Sequence, residues 1–257
     1  MIDLVICGIR GRMGQTLVRL AAEQPDLRII GGIDQHTDND IVTIDDAHTL
    51  LPRAQVVIDF SAASATQALL DRCGDALHTR ALVIGTTGLD AATQQRIDSL
   101  AAHAAVLQAA NFSIGVNLLV SIAERVGAVL DAAHYDVEIV EAHHKRKADA
   151  PSGTALALAQ AVARGRKVSL DEQRIDGRSG QTGARPEGQI ALHAVRGGGV
   201  VGEHRVMFLG ERERIELRHE AFDRALFAEG ALAAARWIAR RPPGRYTMHD
   251  VLGLIDD

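Results

Sequence analysis

The chain has 257 residues, enough for one large domain or two smaller ones with ample core. Hydrophobic residues make up 47% and charged residues 24%, an ordinary globular balance. A net charge of -5 and only 3% aromatics argue against a nucleic-acid binder, which needs basic surface or stacking rings. The predicted elements alternate from the start. "DLVICGI" (3–9) reads as a buried strand, residues 14–24 as a helix, "LRIIGGID" (27–34) and "VVIDFS" (56–61) as strands. "ALVIGTTG" (81–88) and "AAVLQAAN" (104–111) follow as strands, with helices over about 62–73 and 90–102 between them. Short apolar strands alternating with amphipathic helices predict an α/β fold, a Rossmann-type doubly wound parallel sheet.

After about residue 112 the rhythm changes. A helix is expected over 114–131, a strand over "DVEIVEAH" (136–143) and a helix from 153 to about 164. Residues 165–188, rich in Gly, Arg, Asp and Ser, read as an extended loop. Strands then follow at 189–195, 204–210 and 214–220, and a last helix at about 223–240. Strands in series predict a second α+β domain with a mixed or antiparallel sheet. The expected division is residues 1–112 plus 223–257 as a dinucleotide-binding domain and 113–222 as the second domain. The two cysteines, Cys7 and Cys73, form neither a disulfide framework nor a metal-binding pair, so no metal is expected. No apolar run reaches the about 18 residues of a membrane span, and the first residues lack a signal-peptide layout. A cytoplasmic protein free of membrane is the expectation.

"CGIRGRMG" leaves the first strand with Gly8, Gly11 and Gly14 at three-residue spacing, a variant of the dinucleotide fingerprint. Glycines close such a turn and let backbone N–H groups reach a pyrophosphate at a helix start, although they also serve a plain tight turn. Asp34, 20 residues after Gly14, is placed to accept hydrogen bonds from an adenosine ribose. "GTTG" (85–88) and "AANFS" (109–113) end later strands, hence lie at the carboxyl edge where open α/β sheets bind ligands.

"EAHHKRKADAPSGTA" (141–155) begins at a strand end and leads into a helix start, with Pro151 at an early helical position and Ser152 or Asp149 as cap. Two histidines, a lysine and a helix amino end make a carboxylate receptor suited to a small dianion. A basic run can equally be a solvated face, and of Lys145 and Arg146 at least one is expected in water. His193, His204 and His219 lie on strand patterns, where packing or surface roles are expected.

The chain resembles the 4-hydroxy-tetrahydrodipicolinate reductase (dihydrodipicolinate reductase) family almost end to end. "GRMG", "VIDFS", "VIGTTG", "AANFSIGVN", "EAHHKRKADAPSGTA", "GRSGQTGAR", "VVGEHRVMF" and "MHDVLGL" carry the resemblance in order. It implies an NAD(P)H-dependent oxidoreductase of diaminopimelate and lysine biosynthesis acting on a small dicarboxylate, assembled as a homotetramer through the second domain. It implies that Gly8, Ile9, Arg10, Gly11, Arg12 and Met13 cradle the dinucleotide and that Asp34 takes the ribose. Gly85, Thr86 and Thr87, with Ala109, Ala110, Asn111 and Phe112, would hold the nicotinamide half. His143 and Lys147 match the family's proton donors, and His144, Gly153 and Thr154 its substrate-carboxylate binders. Gln35 stands where NADPH-using members commonly have a basic residue, which favours NADH; Arg10 and Arg12 leave NADPH tolerated. Two other readings remain open on the residues: an amino-acid dehydrogenase of the same layout, and a nucleotide-binding protein without catalysis.

Overall fold

The computed structural model describes residues 1–254. The chain forms two compact units, one of residues 1–114 with the segment from Ala225 onward, the other of residues 115–224.

In chain order the first unit begins β1 (Ile2–Cys7), α1 (Arg12–Ala22), β2 (Leu27–Ile33), β3 (Ile41–Val42) and β4 (Val56–Asp59). It continues α2 (Ala63–Leu77), β5 (Ala81–Ile84), α3 (Ala91–Leu100) and β6 (Ala105–Gln108). Next come α4 (Ile114–Val129), β7 (Asp136–His143), α5 (Gly153–Arg166), α6 (Leu170–Gln173) and β8 (Arg174–Asp176). β9 (Ile190–Arg196), β10 (Gly202–Leu209) and β11 (Arg214–Ala221) complete the second unit, and α7 (Ala225–Ile238), β12 (Gly244–Tyr246) and α8 (Met248–Leu252) belong to the first.

The first sheet runs β12-β6-β5-β4-β1-β2-β3, parallel at every pairing. Its strands are continuous apolar runs because successive residues feed opposite faces, and both faces are covered. Leu4, Ile6, Val56 and Ile58 pack with Leu17 of α1 and Ala231, Leu232 and Ala235 of α7. Val5, Cys7 and Val57 pack instead with Leu69, Cys73 and Leu77 of α2 and Ile97 of α3. The doubly wound expectation is met. The strand predicted to end at residue 9 stops at Cys7, because Gly8 turns the chain with φ 74°. The short strands β3 and β12 and the helix α8 were not anticipated; two to five residues give no period to read.

The second sheet runs β11-β10-β7-β9-β8 and is mixed: β7 lies antiparallel to β10 and parallel to β9. Val137, Ile139, Ile190, Leu192, Val206 and Phe208 point into one core with Ala155, Leu158 and Val162 of α5. Residues 165–188 are a correction: the expected loop contains α6 and β8. β8 has a single apolar residue, Ile175, and owes its pairing to β9 rather than to its own pattern.

Candidate active site

In the first unit the predicted loops follow β1, β2, β5 and β6, all at the carboxyl edge of one parallel sheet. Gly11 donates to the carbonyl of Gly8 (3.0 Å) and forms the N-cap of α1 with no side-chain cap. Helix α1 starts at Arg12, two residues earlier than its periodicity indicated, which puts Arg12 and Met13 in the first turn. A Cβ on Gly14 would lie 2.3 Å from the Gly8 carbonyl, so the turn closes only with glycine there. Ile9 is buried with its side chain against Gly32, and its carbonyl accepts from Gln15 Nε2 (2.9 Å). Asp34 follows β2; its Oδ2 accepts from the Arg10 N–H (2.9 Å) and its Oδ1 from the Gln35 N–H (2.8 Å). The Arg10 side chain donates to the His36 carbonyl (3.1 Å) and reaches Asp38 at 3.5 Å. A glycine cradle, a helix start bare of side-chain caps and a carboxylate at the second strand's end fit a dinucleotide.

Gly85 donates to the Asp59 carbonyl (2.8 Å), and a Cβ on it would sit 2.2 Å from the Phe60 ring. The Thr86 hydroxyl is committed: it accepts from the Ser61 N–H (3.1 Å) and donates to the Asp59 carbonyl (3.4 Å). Thr87 and Ala110 are exposed. Asn111 accepts from the Ser113 N–H (2.8 Å), while Phe112 is buried with its ring 5.3 Å from that of Phe60. Beneath the loop after β5 lies a residue that sequence reasoning passed over, whose carbonyl accepts from Gly85 and Thr86. Asp59 is fully buried, and its carboxylate accepts from Ser61 N–H and Oγ and from Thr66 Oγ1. Burial pushes its pKa up against those hydrogen bonds. An ionisable residue closing the apolar run "VVID" was the available signal.

In the second unit β7 ends at His143, and the basic run is the turn between β7 and α5. Ser152 is the N-cap, accepting from the Ala155 N–H (3.2 Å). Pro151 therefore lies before the cap and outside the helix, not in its first turn. Gly153 and Thr154 open α5, and a Cβ on Gly153 would meet nothing within 4 Å. Lys145 and Arg146 are both exposed, as expected of at least one. Lys147 pairs with Asp149 (2.9 Å), and Nδ1 of His144 is buried with no hydrogen-bond partner among the described residues.

His143 is tied to Glu141, its Nδ1 lying 2.6 Å from Oε2. Burial lowers the pKa of His143; Glu141 works against this, and Lys147 and Arg196 reinforce it. Glu141 is 1% exposed and also accepts from Arg196 at 2.7 Å on each oxygen and from the Ser152 N–H at 3.0 Å. His204 packs edge-on to His143, with ring centroids 5.1 Å apart, and meets Ser152 Oγ at 3.1 Å. Burial, with the nearby His143, drives His204 down to about 4, so it is neutral at physiological pH. Its expected packing role holds, but the packing is against the cluster itself. Glu141, Arg196 and His204 are the partners sequence reasoning did not assign. Separately, a groove of about 710 Å³ between α2 and α3 in the first unit is lined by residues such as Asp71, His78 and His103 and by none of the predicted site residues.

A model of the dihydrodipicolinate reductase N-terminus matches residues 2–112, and one of the dihydrodipicolinate reductase C-terminus matches residues 115–252. The chain belongs to the dihydrodipicolinate reductase family. Among relatives of this family, a 4-hydroxy-tetrahydrodipicolinate reductase of Cereibacter sphaeroides is 44% identical, with 98% of each chain covered. One of Rhizobium meliloti is 43% identical over 98% of this chain and 97% of its own. A dipicolinate-bound dihydrodipicolinate reductase from Paenisporosarcina sp. TG-14 has the same fold: TM-score 0.79 at 23% identity, over 99% of this chain and 100% of that one. The family match spans both the glycine cradle and the basic cluster.

Proposed function

We infer that the chain is an NAD(P)H-dependent oxidoreductase that reduces 4-hydroxy-tetrahydrodipicolinate to tetrahydrodipicolinate, a step of diaminopimelate and lysine biosynthesis. The observation that carries this reading is the cluster of His143, His144, Lys147 and the Ser152-capped start of α5 in a member of the dihydrodipicolinate reductase family. In the reaction the substrate's 4-hydroxyl leaves as water, a hydride reaches C4 of the conjugated cyclic imine, and a proton reaches the neighbouring carbon. The nicotinamide supplies the hydride when bound. Gly8 to Met13 hold the dinucleotide at the bare amino end of α1, Asp34 takes the ribose, and the backbone of Gly85 to Thr87 and Ala109 to Phe112 holds the nicotinamide half.

His144, Gly153 and Thr154 bind the substrate's carboxylates, where cations and a positive helix end neutralise a dianion. His143 and Lys147 deliver the proton. The lowered pKa of His143 leaves its ring neutral in the free protein. A bound dianion draws a proton back onto it, so the acid form arises when substrate is present. Gln35 and the engagement of Arg10 with His36 and Asp38 support NADH as the favoured cofactor, with NADPH tolerated. The family resemblance supports a homotetramer working in the cytoplasm, associated through the second sheet, of which β11 is an end strand.

The test is nicotinamide oxidation with NADH and NADPH side by side, the substrate being generated from pyruvate and aspartate semialdehyde by the preceding synthase. Turnover dependent on that substrate is expected with both cofactors. A folded protein that binds NADH and turns over neither would sink the reading.

A further inference from the structure

We propose that Glu141 is the positioning residue of this site: one oxygen orients the ring of His143 and the other holds the start of helix α5, so a single carboxylate sets both proton donor and carboxylate receptor. The inference deepens the reductase reading and rests on it for the roles of His143 and α5.

On β7 the residues Val137, Ile139, Glu141 and His143 share a face, and the first two lie in the core beneath α5. Glu141 thus occupies a position that the strand pattern reserves for an apolar side chain. A buried carboxylate persists only when its oxygens are matched, and here each oxygen has two donors. Oε2 meets His143 Nδ1 (2.6 Å) and an Arg196 nitrogen (2.7 Å). Oε1 meets the Ser152 N–H (3.0 Å) and the second Arg196 nitrogen (2.7 Å). Arg196 also donates to the Asp149 carbonyl (2.6 Å), which pins the turn carrying Lys147. The carboxylate therefore joins β7, β9, the basic turn and the helix cap.

This network assigns a tautomer. Burial pushes the Glu141 carboxyl up, but the hydrogen bonds of Arg196, His143 and Ser152 outweigh it and bring it below its ordinary value. An ionised carboxylate accepts only, so the proton shared with His143 belongs to Nδ1. Nε2 is left as the atom that gives up or regains a proton. A Cβ at Gly202 would come within 3.1 Å of that Nε2, and glycine keeps the approach open. The charged and titratable groups around the ring are Glu141 on its own strand, Lys147 on the turn, Arg196 on β9 and the neutral His204 on β10. Glu141 is the one anion among these named neighbours. Removing its charge lowers the pKa of His143 further.

The test is isotope-edited NMR of the histidine ring nitrogens across pH in the full chain, for wild type and Glu141→Gln, beside steady-state kinetics. In wild type the neutral His143 is expected to carry its proton on Nδ1. In Glu141→Gln its titration moves to lower pH by about one unit, and both tautomers appear. kcat falls at least about tenfold, and its decline at high pH begins at a lower pH than in wild type. The KM for substrate rises as well, because α5 loses its anchor. A wild-type His143 protonated on Nε2, or an unchanged titration in Glu141→Gln, overturns the proposal. Should Glu141→Gln fail to fold, the wild-type tautomer alone decides. The underlying reading fails in a different way: His143→Gln turning over at the wild-type rate removes His143 as donor and leaves the NMR result as it was.

Discussion

His144 and Lys147 stand three positions apart in one turn and meet different surroundings. Lys147 is paired with Asp149 at 2.9 Å, whereas His144 has a buried Nδ1 with no protein partner among the described residues. The two substitutions should therefore separate. Lys147→Ala is expected to lower kcat by about 10²-fold with modest change in KM, the size of a general-acid effect. His144→Ala is expected to raise KM about tenfold with kcat nearly kept. Steady-state kinetics in the favoured cofactor checks both, and the opposite pattern exchanges the assigned roles. These residues were legible because a compact motif brackets them. Arg196 was not, because it reaches Glu141 from 55 residues away, a separation no local spacing encodes.

At the scale of elements, β7 carries two buried or half-buried carboxylates on opposite faces, Glu141 toward α5 and Glu138 on the other side. Glu138 receives His193 (2.6 Å), Arg178 (3.0 Å) and Arg185 (3.0 Å), which fasten residues 178–189 across the sheet. His193 thus has the structural role its strand pattern indicated. Burial pushes the pKa of Glu138 up, but the hydrogen bonds of Arg178, His193 and Arg185 win and take it from 4.5 to about 2. A depressed folded-state pKa means stability that is fully present above the unfolded value and lost as pH falls through the folded one. The contribution, about 3 kcal/mol, therefore disappears between about pH 4.5 and pH 2. Glu138→Gln should unfold more easily than wild type in urea at neutral pH, and the gap should close as pH falls through that window. A gap independent of pH would remove the ionic account. The basic loop itself was visible in the sequence. Its strand β8 was not, because three residues take their conformation from the neighbour they pair with.

For the whole molecule, the outstanding choice is between two cofactors that differ by one phosphate. Asp34 and Gln35 offer no cation at the end of β2, and Arg10 is bound to the loop that follows it. Gln35→Arg is expected to raise the kcat/KM ratio of NADPH to NADH by about tenfold, the effect of one favourable charge near the surface. An unchanged ratio would move control of the preference to Arg10 and Arg12.

The residue pattern by itself determined the alternating layout, the glycine cradle, the basic turn and the resemblance to the reductase family, because periodicity and motif spacing are local properties of the chain. It placed five of the first sheet's seven strands because parallel strands covered on both faces must be continuously apolar, and it missed the short β3 and β12. Only the tertiary structure decided which polar groups were buried and with whom. Asp59 became the buried acceptor for Ser61 and Thr66 at the end of β4, and Glu141 joined Arg196, His143 and Ser152. A carboxylate inside a strand pattern reads as an interruption until its donors are known, and those donors arrive from strands and helices that only folding brings together.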